Sequence, residues 1–285
     1  MAAAAGGHRR RRHSKGKKRL LFVEEKRMLD GSCDAYLVFK INLKDMFASG
    51  AGEEGGEEDW AMPMRNFPRP VAQFDTLPGR PERLDLAVVS GSSGTNIVAV
   101  SSDRRTVIYD TAASGGTFSF DTACHAWRKE GDWELPFARR GLFVPDLSLC
   151  FGICPRRLCL CAFDVPTSGA GEPPAVRYVW QDESYPRECG DRGFHVQSPG
   201  SLAYLGDGKF CIAWTIAVEY AGEDMVPSRF ALFLMAVQVV RRSRRRQPTA
   251  GAARSGELRL LKRGVSCYRM SSSGVDGYVL QPSLG

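Results

Sequence analysis

Four cysteines close together, Cys150, Cys154, Cys159 and Cys161, are the densest group of potential metal ligands in the chain. Their spacing is C-x3-C-x4-C-x-C, whereas structural zinc is usually held by paired C-x2-4-C knuckles presented from turns. Cys159 and Cys161 stand two apart in a segment that reads as a strand, so they face one side, and Phe151 and Leu160 beside them point to core packing. They read as small buried thiols, with neither a metal nor a cofactor assigned. His125 and His195 are the histidines outside the basic N-terminal stretch, and neither stands at a metal spacing from a cysteine pair. Asp110, Asp121 and Asp164 each follow an aromatic residue at a strand end, where a short carboxylate caps a turn by accepting backbone N–H groups. Gly91-Ser-Ser-Gly94 lacks the lysine and the following helix that a phosphate cradle requires, which leaves a surface loop. The chain has no G-x-S-x-G elbow, no P-loop and no H-E-x-x-H. No catalytic residue is assigned, and the expectation is a protein that is not an enzyme. Trp127, Trp133, Trp180 and Trp214 recur in strand contexts and read as wedges packed between sheets.

Two near-duplicate segments must be positioned by the same architecture. Thr106-Val-Ile-Tyr-Asp-Thr111 is followed, after five residues, by Thr117-Phe-Ser-Phe-Asp-Thr122. Each alternates side chains and closes on an aromatic-Asp-Thr step, as the third strand of a propeller blade commonly does. With Gly115-Gly116 ahead and Trp127 behind, the second copy is Kelch-like, and a Kelch blade needs about 50 residues. The expected fold is therefore all-β, a Kelch-like β-propeller reduced in blade number, with most of one blade missing near Ser114.

Strand signals recur elsewhere. Arg19–Glu24 and Ala35–Asn42, split by Asp30-Gly31, read as an opening hairpin. Leu86–Val89, Ile97–Ser101 and Thr106–Tyr109 read as a meander. Gly141–Val144, Leu149–Cys154, Leu158–Phe163 and Ala175–Trp180 supply one four-strand set. Ser201–Leu205, Lys209–Ile216, Arg229–Val240 and Glu257–Lys262 supply another, with Gly206-Asp-Gly208 as the turn after its first strand. Leu135-Pro-Phe137 interrupts pairing.

The net charge of +7 is localised: Arg9 to Arg19 holds eight basic residues, and without them 31 basic stand against 32 acidic. Residues 1–18 read as a disordered basic tail, 19–270 as the propeller-like domain, and 271–285 as a C-terminal tail. Within the domain, loops 48–62 and 241–256 read as flexible. The first holds Glu53, Glu54, Glu57, Glu58 and Asp59, and the second the run Arg241-Arg-Ser-Arg-Arg-Arg246. Nothing at the N-terminus has the apolar length of a signal peptide. The nine cysteines are accordingly expected as thiols rather than disulfides. The longest apolar run, Phe230–Val240, falls short of the roughly 20 residues that a membrane helix needs. The expected location is intracellular, nucleus or cytoplasm, with organelle transit as the weaker reading of the tail.

The ordered set Gly116-Thr-Phe-Ser-Phe-Asp-Thr122, Trp127, Gly131-Asp-Trp-Glu-Leu-Pro-Phe137 and Phe143-Val-Pro-Asp-Leu147 resembles a plant family, expanded in grasses, called domain of unknown function 1668. Ala35-Tyr-Leu-Val-Phe39, the stretch Gly200 to Ile212, Gly256-Glu-Leu-Arg259 and Ser266-Cys-Tyr268 extend the resemblance over about residues 19 to 270. It implies a Kelch- or F-box-associated-type propeller and carries no catalytic or ligand residues. The segment that the family places between its Tyr-Asp-Thr and Thr-Phe-Ser-Phe-Asp-Thr strands is almost absent here. The function expected on these grounds is a noncatalytic protein-interaction scaffold with an unidentified protein partner and no membrane contact. The alternatives are an enzyme with its site in the propeller channel, or a nucleic-acid-associated protein using the basic runs.

Overall fold

The computed structural model describes residues 19–27, 33–47, 64–75, 106–110, 116–121, 126–166, 171–190, 192–197, 200–221, 226–242, 257–270 and 277–280. These fold into four separate sheets, antiparallel but for one parallel edge strand, with only short helical turns between them, so the all-β expectation holds. Leu86–Val89 and Ile97–Ser101, and with them most of the expected meander, lie outside the described residues.

The terminal sheet begins with the expected hairpin. β1 (Arg19–Arg27) pairs with β2 (Cys33–Asn42), setting Phe22 opposite Phe39. The free edge of β2 takes up β4 (Ala72–Asp75), and that of β1 takes up β17 (Gly277–Leu280), with Leu21 opposite Leu280. Residues 277–280 fall in the stretch read as a C-terminal tail, yet they are a strand joined to the N-terminal one. Their sequence, Gly-Tyr-Val-Leu, is too short to announce a strand without the partner that β1 provides.

The small sheet holds the two near-duplicates. β5 (Thr106–Asp110) and β6 (Thr117–Asp121) pair directly and antiparallel, Thr106 opposite Asp121 and Asp110 opposite Thr117. β7 (Ala126–Gly131) follows on β6. The two copies, whose likeness suggests equivalent positions in different blades, are neighbours in one sheet and run in opposite directions. So short a connection leaves two adjacent strands little choice but a hairpin.

The middle sheet matches its four expected strands: β8 (Ala138–Val144), β9 (Leu149–Ile153), β10 (Leu160–Phe163) and β11 (Val176–Trp180), in sequence order. Two four-residue helices follow, α1 (Gln181–Ser184) and α2 (Arg187–Gly190). The buried Ser184 hydroxyl secures this corner, accepting from the Leu160 N–H at 2.8 Å and donating to the Trp180 carbonyl at 2.5 Å.

The central sheet is the longest. β12 (His195–Val196) and β13 (Ser201–Tyr204) both pair with β14 (Lys209–Ala221), which is followed by β15 (Val226–Arg241) and β16 (Leu258–Arg269). β3 (Met64–Asn66), from the N-terminal part of the chain, lies parallel on the outer edge of β16. Asp207 and both flanking glycines of the β13–β14 turn have positive φ. A Cβ on Gly208 would come within 2.3 Å of the Val239 carbonyl oxygen, so this position requires glycine.

Both faces of the central sheet are buried, and the alternation along β14 explains how. Phe210, Ile212, Trp214 and Ile216 point to one side, into a core shared with Val144, Phe151, Leu160 and Trp180 of the middle sheet. Cys211 and Ala213 point to the other, into a core shared with Leu20, Phe22, Phe39 and Ile41 of the terminal sheet. The small residues of β14 leave room for the aromatic side chains opposite them. Phe67 fills that room, stacked 4.4 Å from Phe39 and 5.4 Å from Tyr268 between ring centroids. The terminal, central and middle sheets therefore stack face to face. Edge strands of the three also meet: β13 contacts both β8 and β17.

Candidate functional site

The cysteine group resolves into packing. Cys150 stands opposite Phe163 and Cys161 opposite Gly152 across the β9–β10 pair. Both thiols enter a cluster with Phe163, Leu135 and Phe137 on the outer face of the middle sheet. Leu135-Pro-Phe137, which breaks the strand pattern, is thus the lid of that face. The Phe137 ring stacks 5.1 Å from Phe163 and lies against Gly141 and Gly152; a Cβ on Gly152 would be 2.4 Å from the Phe137 Cβ. Cys154 and Cys159 close the turn: the Cys154 N–H donates to the Cys159 carbonyl at 2.9 Å. Cys150, Cys154, Cys159, Cys161, Cys189, Cys211 and Cys267 are free thiols. Burial pushes Cys150, Cys161, Cys211 and Cys267 up to about 12 and Cys159 up to about 11, and it raises Cys189 as well. Such thiols are poor nucleophiles, because the thiolate is the reactive form. Among the described residues no group of three or more His, Cys, Asp or Glu side chains could hold a metal.

The other singled-out residues scatter. His195 is exposed and meets the edge of Tyr220 at 5.7 Å. Asp164 does not act as a turn cap: its two oxygens accept Nε and Nη2 of Arg177 at 2.8 and 2.6 Å, a bidentate surface pair across the β10–β11 junction. Asp110 and Asp121 end β5 and β6 at opposite ends of that pair. His125, Gly91–Gly94, the basic tail and the acidic loop lie outside the described residues. Of the second basic run, Arg241 ends β15 and donates to the Asp146 carbonyl at 3.3 Å, and Arg242 pairs with Glu257 at 3.6 Å.

The tryptophans divide. Trp214 and Trp180 are 1% and 6% exposed and form part of the core between the central and middle sheets. Trp214 packs against Gly200, where a Cβ would come within 2.7 Å of its Nε1. Trp133 lies against Gly131 in the same way, and both indole N–H groups are buried without an acceptor among the described residues. Trp127 departs from the packing expectation, being 61% exposed on β7. Its neighbours Ala126, Arg128 and Lys129 are exposed too, which makes this strand an aromatic and basic surface. A second surface lies on β11, the edge strand of the middle sheet, where Val176 and Val179 are exposed, with Tyr185 just beyond α1.

Three charged residues gain their meaning only from tertiary contacts. Glu130 is buried under β7, and one of its oxygens accepts from Ser119 Oγ at 2.5 Å and from Nε and Nη2 of Arg128 at 3.1 and 3.0 Å. Its place in the alternation of β7, opposite in sense to Lys129, is the only sequence signal for burial. Glu188 of α2 pairs with Lys262 of β16, and its second oxygen is buried without a partner among the described residues. Arg140 of β8 has its Nε buried and likewise without an acceptor.

Among the described residues no helix is long and apolar enough to cross a membrane. A comparison with curated proteins finds no match. A family model described as a protein of unknown function, DUF1668, matches residues 17–115 and 112–268, two stretches that meet at residues 112–115.

Proposed function

We propose, starting from the fact that this chain belongs to the DUF1668 family of proteins of unknown function, that it is a reduced Kelch-like β-propeller serving as a noncatalytic protein-interaction scaffold. The observation that carries the architectural part is the contact of β13 with both β8 and β17, edge strands of three sheets that stack face to face. Propeller blades are sheets stacked in this way, with their first strands around an axis. Pairing of the C-terminal strand β17 with the N-terminal strand β1 fits the same plan, since propellers commonly tie their ends within one blade. The join of the two family matches at residues 112–115 falls where the near-duplicate strands imply a lost segment, which supports a reduced blade number.

The interaction role rests on the two surfaces, Trp127–Lys129 on β7 and Val176 with Val179 on β11. A large exposed aromatic side chain beside arginine is a typical anchor of a protein interface, and exposed valines add apolar area to such a surface. An enzyme would need polar groups converging on one mouth, and the buried thiols and paired carboxylates of the described residues do not converge. Use of the second basic run for nucleic acid is disfavoured at Arg241 and Arg242, which already engage Asp146 and Glu257.

Two measurements test this reading. Truncation before Gly277 removes the strand that ties the ends and should lower the cooperative melt of the full chain by many degrees; an unchanged melt would refute the tied-ring architecture. Quantitative affinity capture with the full chain should then recover a saturable protein partner that is lost with Trp127→Ala or with paired Val176→Asp and Val179→Asp. Turnover in a metabolite screen, with no saturable partner, would sink the scaffold role.

A further inference from the structure

Arginine is rarely left without a partner inside a protein, because a desolvated cation is costly unless an anion or acceptor compensates it. Six described arginines have a partner, five of them with side chains more than half exposed: Arg128 binds Glu130, Arg177 binds Asp164, Arg187 binds Asp182, Arg229 binds Glu219, Arg242 binds Glu257, and Arg263 binds the Gln238 side-chain carbonyl oxygen. Arg140 breaks the rule. It is half-buried, and its Nε is shut off from solvent with no acceptor among the described residues. Burial lowers its pKa.

The local backbone places Arg140 deliberately. On β9, Ile153 stands opposite Ala138 and Phe151 opposite Leu142, so Arg139, Arg140 and Gly141 together face the single residue Gly152. This is a bulge of three residues against one, a feature that turns a side chain out of the regular alternation; bulges are common beside functional sites. The bulge is not loose. Phe137 clamps it from one side, and a Cβ on Gly141 would lie 2.8 Å from the Phe137 ring. β8 is moreover the edge strand of its sheet and touches β13 of the central sheet, so the bulge lies on the strand that joins the two sheets.

We propose that Arg140 is the anchor of a binding site for an oxyanion, a phosphate or carboxylate group that takes the guanidinium fork through two parallel hydrogen bonds. A planar fork in partly desolvated surroundings is the arrangement in which such pairs are strongest and most selective. This site stands on the β8 bulge and does not depend on the propeller reading or on any protein partner.

The test uses the full chain, titrated calorimetrically with inorganic phosphate and, separately, with succinate, against sodium chloride of equal ionic strength. Saturable binding of one anion and not of chloride is expected, the binder revealing whether the site prefers phosphate or carboxylate. Arg140→Met should weaken that binding about ten- to a hundredfold, the range of one charge-assisted contact. Phenylglyoxal modification of the unaltered chain, mapped by mass spectrometry, keeps the idea falsifiable if the variant does not fold. The bound anion should protect Arg140 and leave the exposed Arg177 as reactive as before. The proposal fails if neither anion binds saturably, if Arg140→Met binds as the unaltered chain does, or if Arg140 is modified at the same rate with and without anion.

Discussion

The central sheet of β13–β16 and the small sheet of β5–β7 come from strands of similar sequence character, and they end in opposite situations. Trp214 in the first is 1% exposed, and Trp127 in the second is 61% exposed. Both sit in alternating strands next to charged or polar turns, so local pattern does not separate them. What separates them is neighbours. The central sheet lies between two others, and each of its faces meets an apolar face across a close-packed core. The small sheet touches the segment leading into the middle sheet, where Thr117 Oγ1 donates to the Trp133 carbonyl at 2.7 Å, and it presents β7 to solvent. A strand that reads as a buried blade element is exposed here, where no sheet among the described residues covers it.

The contrast is easiest to break at the tryptophans. Trp214→Ala opens a cavity between two sheets and should cost about 3–5 kcal/mol in urea denaturation. If it cost no more than a surface change, the stacked arrangement of the central and middle sheets would be wrong. Alkaline pH probes the same contrast, since the described part of the small sheet carries no cysteine, whereas the central and middle sheets bury several. A buried thiol with a raised pKa binds its proton more tightly in the folded than in the unfolded state. Its contribution is therefore complete below pH 9 and is lost as pH rises toward 12 for Cys150 and Cys211, at up to about 1.4 kcal/mol per unit for each thiol. Stability measured between pH 8 and 10.5 should fall, and the same thiols should resist alkylation at pH 8 until urea unfolds the chain. Rapid alkylation of the folded protein would contradict their burial.

Within the small sheet, the largest effect should come from its buried carboxylate. Glu130→Gln replaces the acceptor of Ser119 and Arg128 with a neutral one and should cost about 1–3 kcal/mol. An effect near zero would mean that this sheet is weakly held throughout. Trp127→Ala is the smallest, within about 0.5 kcal/mol by denaturation, because little of the indole leaves water on folding. A loss comparable with that of Trp214→Ala would show that a covering surface exists in solution, for example another copy of the chain, and sedimentation would reveal it.

Much of the strand order was readable in advance. The β1–β2 hairpin, the four strands of the middle sheet and strands β13 to β16 of the central sheet lie where alternation and turn residues place them, with boundaries shifted by a few residues. β3, β4, β12 and β17 were not readable. Each is two to four residues long, and such a segment becomes a strand only because an existing edge supplies its hydrogen bonds. Cys150, Cys159 and Cys161 were legible as core from the two-residue spacing of the last two and from their neighbours Phe151 and Leu160, and they are buried, whereas Cys154 is half-buried. Trp127 was misread because burial is a property of the opposing surface and not of the residue. Arg140 was invisible because nothing in Ala-Arg-Arg-Gly announces a bulge; it arises when Phe137 settles on Gly141 and Gly152, brought together by strand pairing.

By itself the sequence determined the class of structure, since alternation of period two and closely spaced turns leave β-strands as the way to bury this many apolar side chains. It also determined the family, through an ordered set of glycine, tryptophan and Leu-Pro-Phe steps. Only the tertiary structure decided which strand faces are covered, which strands share a sheet, and which charged groups are left without a counter-ion. Those outcomes depend on contacts between residues as far apart as Phe67 and Tyr268, or Leu21 and Leu280, and side-chain packing and hydrogen-bond satisfaction are settled between such partners rather than along the chain.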